Sequence, residues 1–90
     1  MVVHITRQEI FQAINDERDR QDRLHPMPKQ KKVDSGDINA IQNMLICNEF
    51  LAVLVEEIGE VGRALQGEGD LKEELIQVAS VVVRWIENLK

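Results

Sequence analysis

Cys47-Asn48-Glu49-Phe50-Leu51-Ala52-Val53-Leu54-Val55-Glu56-Glu57-Ile58-Gly59-Glu60-Val61-Gly62-Arg63-Ala64-Leu65 is the stretch on which the fold class turns. Cys47, Leu51, Leu54, Ile58, Val61 and Leu65 recur at spacings of 4, 3, 4, 3 and 4, the apolar seam of a helix packed lengthwise against others. Ile41, Leu45, Ile46, Phe50 and Val53 widen the stripe in its first half. The spacing predicts a long helix over residues 38–66, capped by Ser35 or Asp37 and ended by Gly67 and Gly69.

Downstream, Asp70-Leu71-Lys72-Glu73 has the spacing of a helix cap and opens a predicted helix over residues 71–89. Leu71, Leu75, Val78, Val82, Trp85 and Leu89 form one apolar row, and Ile76, Ala79, Val83 and Ile86 form a second beside it. Two rows require two partners. Upstream, Thr6-Arg7-Gln8-Glu9 is a capping box for a helix over residues 6–24, apolar at Ile10, Phe11 and Ile14 and then densely charged with alternating sign from Asp16 to Arg23. That charged run reads as a solvated face, although a helix end rich in Arg and Gln can also lean over an anion. Pro26 and Pro28 stop the helix, and the loop 25–37 carries Lys29, Lys31 and Lys32. The expected fold is therefore all-α: a single domain over residues 1–90, an antiparallel helical bundle of three main helices. A chain this short covers little surface alone, so a homodimer or homotetramer is expected to complete the bundle.

The charge balance narrows the function. Eleven Lys and Arg against sixteen Asp and Glu give a net charge of −5, the wrong sign for a general binder of nucleic acid or of anionic membranes. Three aromatic residues with no Tyr leave no base-stacking platform for single strands. Every apolar stretch is broken by charge before the roughly 18 residues a membrane span needs. The lone Cys47 excludes an internal disulfide and points to a reducing, cytoplasmic setting.

The acids themselves are patterned. Glu57 and Glu60 stand three apart on the second helix, as do Glu74 and Gln77 on the third, and residues at this spacing lie about 5–6 Å apart at Cβ. Such oxygens suit a hard cation, magnesium or manganese, and without one the like charges repel. Glu57-Ile58-Gly59-Glu60-Val61-Gly62-Arg63-Ala64-Leu65 followed by Leu71-Lys72-Glu73-Glu74-Leu75-Ile76-Gln77-Val78-Ala79 resembles the MazG-like all-α nucleoside triphosphate pyrophosphohydrolases, whose signature is ExxE on one helix and ExxD on the next. The segment from Glu17 to Pro26 also looks like the opening of short bacterial and phage members of that family.

The resemblance implies a magnesium-dependent enzyme that cleaves a nucleoside triphosphate to the monophosphate and pyrophosphate, cleans the nucleotide pool and works as a dimer or tetramer. On that mapping Glu57, Glu60 and Glu74 are metal ligands, and Gln77 stands where the family has Asp, keeping a carbonyl oxygen but removing a charge. Glu56 or Glu73 is the candidate general base. Arg84, His25 and the lysines Lys29, Lys31 and Lys32 are the candidate substrate contacts. The competing expectation is a helical module of the same fold that binds a nucleotide or a protein without cleaving anything.

Overall fold

A computed structural model describes residues 4–25 and 41–89, which form three helices: α1, Arg7–Leu24; α2, Ile41–Leu65; and α3, Leu71–Glu87. The chain is all-α over this range. Lys29, Lys31 and Lys32, and the Ser35 or Asp37 cap, lie outside the described residues.

The caps form as the local chemistry requires. Thr6 Oγ1 accepts from the Glu9 backbone N–H at 3.1 Å, and the Thr6 hydroxyl donates to Glu9 Oε1 at 3.0 Å. Asp70 Oδ1 accepts from the N–H groups of Lys72 and Glu73 at 3.0 and 3.3 Å. Between α2 and α3 the chain reverses in five residues. Gln66 and Glu68 donate back to the Arg63 carbonyl and Gly67 to that of Ala64. Gly67 and Gly69 take φ of 90° and 142°, values that a side chain disfavours.

This short turn makes α2 and α3 an antiparallel hairpin, closed by the Phe50 ring stacked on Trp85 at 5.9 Å with 8° between the planes. Helix α3 is the central element. It packs against α2 on one side and α1 on the other, while among the described residues α1 and α2 do not pack on each other. Among the described residues the buried apolar side chains are Phe50 and Val81, near the stacked rings, and Ala64, at the turn end of α2. Ser80 is fully buried, and its hydroxyl donates to the Ile76 carbonyl at 2.7 Å, so this side chain brings no unsatisfied hydroxyl into the packing.

The α1–α3 junction is built on a charge. The Arg18 guanidinium is buried and donates to both carboxylate oxygens of Glu87, at 2.8 and 3.0 Å, to Asp22 at 3.1 Å and to Gln21 at 3.2 Å. These bonds, led by the one to Glu87, hold its proton more tightly than usual.

One expectation from the apolar spacing needs correction. The 4-3-4 seam of α2 does not face inward as a unit: Cys47, Leu54 and Val61 are half-buried, while Leu51, Ile58 and Leu65 are exposed together with Val55. Likewise Leu71, Leu75, Val82 and Ile86 on α3 stay exposed. A stripe wider than one neighbour can cover is split by that neighbour, and its outer half is left uncovered by the described residues.

Candidate functional site

Because α1 and α2 flank α3 without meeting, they leave a groove of about 720 Å³ with α3 as its floor. Helix α2 lends Glu49, Phe50, Val53 and Glu57, which fall on one face by helical spacing. Helix α3 lends Gln77, Val81 and Arg84, and α1 contributes Glu17, Arg20 and Gln21, with His25 just beyond its end.

The groove is polar at both ends and apolar in the middle. At one end Glu57 stands near Glu74 across the helix pair, and Glu57 Oε2 and Glu74 Oε2 are both buried without a hydrogen-bond partner among the described residues. Burial pushes the Glu57 carboxyl above its ordinary pKa, and repulsion from Glu74, Glu60, Glu56 and Glu17 adds to the rise. Gln77 lines this part of the groove. Phe50, Val53 and Val81 form the middle.

At the other end Arg84 donates through Nη2 to the His25 carbonyl oxygen, tying α3 to the end of α1, while its buried Nε has no partner among the described residues. Arg84 therefore meets a backbone carbonyl rather than an acid of α2. On the α1 wall Arg20 is paired with Glu17 at 2.9 Å.

The residues marked by sequence divide accordingly. Glu57, Gln77, Arg84 and His25 line the groove, and Glu74, outside the lining, is close enough to repel the Glu57 carboxylate. Glu60 is paired with Arg63, one turn on, which raises the affinity of that guanidinium for its proton. Glu56 and Glu73 are exposed and stand outside the groove lining, Glu56 acting on Glu57 through its charge. Among the described residues no three His, Cys, Asp or Glu side chains converge into a ready metal cage.

Sequence reasoning missed Glu17, Arg20, Gln21 and Glu49 as groove residues. The signal for the first three was present, a charged helix end with Arg and Gln at one-turn spacing, but the run reads equally as a solvated face. Glu49 shares a face of α2 with Glu57 by helical spacing, but nothing along α2 alone shows that this face lines a groove.

Comparison with protein-family models, with curated proteins and with solved structures returns no match to this chain. The likeness to the MazG-like family rests on the sequence motifs alone.

Proposed function

We propose that the chain is a divalent-cation-dependent nucleoside triphosphate pyrophosphohydrolase, acting in the groove between α1 and α2. The observation that carries this reading is the buried carboxylate oxygen on each of Glu57 and Glu74, without a partner among the described residues, with Glu57 at one end of a groove that has an arginine at the other. Two like charges held this way weaken the fold, and a hard cation relieves both. Magnesium is commonly held by one or two carboxylates, with phosphate oxygens and waters completing its shell, so a full protein cage is not required. Glu57 and Glu74, with the Gln77 amide oxygen, fit such an ion.

When bound, the ion supplies charge neutralisation of the triphosphate and a more acidic water. The protein's own part is to position. The apolar middle, buried Phe50 and Val81 with the exposed Val53, offers a surface for a flat group, and Arg84, fixed by His25, offers a cationic donor. Glu56 and Glu73 remain candidates for accepting the water's proton, Glu56 being adjacent to Glu57 in sequence.

The active form is a homo-oligomer, with a dimer as its basic unit. Leu51, Val55, Ile58 and Leu65 stand roughly 120–180° around α2 from Glu49 and Val53, and Leu71, Leu75, Val82 and Ile86 stand as far around α3 from Gln77 and Arg84. Both exposed rows thus form one apolar face on the back of the hairpin. Two helices side by side offer about 20 by 25 Å, so a two-fold contact buries on the order of 1,000 Å², enough for specific association. The acidic grooves then face outward and away from each other. A tetramer would pair two such dimers.

The non-catalytic reading has one observation in its favour: Arg63 already neutralises Glu60. A panel of nucleoside triphosphates assayed for pyrophosphate release with magnesium and with manganese separates the two. Release from at least one nucleotide, lost in Glu57→Gln, is expected; no release from any nucleotide overturns the enzyme. Sedimentation tests the dimer, and Val82→Asp should dissociate it by placing an unpaired charge in the contact.

A further inference from the structure

The stacked pair Phe50 and Trp85 marks a rung across the hairpin, and its neighbours in sequence, Glu49 on α2 and Arg84 on α3, both line the groove at that level. Glu49 is eight residues from Glu57, about 12 Å along the helix, with the apolar middle between them. This rung is therefore remote from the buried acids. It pairs an acceptor that cannot donate with a donor that cannot accept.

We infer, resting on the proposed nucleotide reading, that Glu49 and Arg84 form a base-reading subsite selective for an amino donor beside a ring-nitrogen acceptor. Cytosine and adenine carry that edge. Uracil and thymine present a carbonyl oxygen and a ring N–H in the same two places, so a carbonyl would face the Glu49 carboxylate and an N–H would face the guanidinium. Carboxylates read the cytosine amino group, and arginine reads ring acceptors, by the same geometry in nucleic-acid recognition. Arg84 is held for this by the bond from its Nη2 to the His25 carbonyl, which fixes the guanidinium while Nε stays unpartnered among the described residues. The flat face of the base would lie over Phe50 and Val81, and Glu49, being exposed, stands at the rim.

Calorimetric titration of the full chain with CMP, AMP and UMP tests this without turnover, and Trp85, the only tryptophan, reports by fluorescence whether the base settles on its rung. CMP and AMP should bind about tenfold or more tighter than UMP. Glu49→Gln, at an exposed position, should keep the melting temperature and bring CMP to within about threefold of UMP, because an amide can turn to suit either edge. Equal affinities, tighter UMP, or a ratio that Glu49→Gln leaves unchanged would overturn the subsite. Binding without base preference, with pyrophosphate release intact, removes the subsite alone. Absence of binding by all three, with no pyrophosphate release, removes the nucleotide reading with it.

Discussion

Two junctions of α3 handle buried charge in opposite ways. Against α1, the Arg18 guanidinium is saturated: Glu87 holds it with both oxygens, and Asp22 and Gln21 take further N–H groups. Against α2, Glu57 and Glu74 each bury a carboxylate oxygen that nothing among the described residues meets, and the neighbours that Glu57 feels electrostatically are acids. The first junction uses charge to fasten a helix. The second keeps charge unsatisfied at the edge of a groove, a cost to the fold that the proposed cation would offset.

Breaking the saturated junction should have the largest effect. Arg18→Ala leaves Glu87 and Asp22 half exposed and able to rehydrate, so the loss is smaller than for a fully buried pair, about 2 kcal/mol. Melting should fall by about 8–16 °C, and α1 should loosen first. Filling the unsatisfied junction comes next. Magnesium at tenfold its dissociation constant should add about 1.4 kcal/mol, a rise of about 6–11 °C by thermal melt. Gln77→Asp should sharpen this by tightening manganese binding in calorimetry, since a carboxylate replaces an amide dipole; equal affinities would remove Gln77 from the site.

Smaller still is the effect of relieving the repulsion. Glu57→Gln should raise the melting temperature of the metal-free protein at pH 7 by about 2–4 °C, on the scale of about 0.5 kcal/mol for like charges in contact, and abolish the magnesium shift. The pH dependence has a definite sign. Because the Glu57 pKa is raised on folding, the folded chain binds more protons than the unfolded one between the ordinary carboxylate value and the raised one. Stability from this group is present below that window and lost as pH rises through it. Melts of the metal-free protein should therefore climb on mild acidification, and Glu57→Gln should flatten that part of the curve. The smallest change is expected at Arg63→Gln, which removes an exposed ion pair with Glu60 and should leave melting within about 1 °C while increasing the negative charge near Glu57.

The helices were legible because their signals are local. Thr6 with Glu9, Asp70 with Glu73, and the two glycines after α2 each act within a turn or two, and each forms the bond or backbone angle that its spacing implies. Which half of a wide apolar stripe turns inward was not legible. Leu51 and Leu54 are equally apolar, and only the angle at which α3 meets α2 leaves one out and covers the other. The groove follows the same division. Glu57 and Gln77 stood out through spacing on single helices, whereas Glu17, Arg20 and Glu49 join it through a three-helix arrangement that periodicity along one helix does not encode.

α3's two partners also differ in how far along the chain they meet it, and this sets an order of assembly. Five residues join α2 to α3, whereas α1 meets α3 across a sequence separation of 69 residues, from Arg18 to Glu87. Contacts between distant parts of the chain cost more entropy to close, and α1 recovers that cost only by finding the far end of α3. The hairpin is thus the kinetic nucleus and α1 the last arrival and first departure. Hydrogen exchange should accordingly rank the amides of α1 as faster than those at the centre of α2 and α3, with one wall of the groove coming and going as a unit while its floor stays folded.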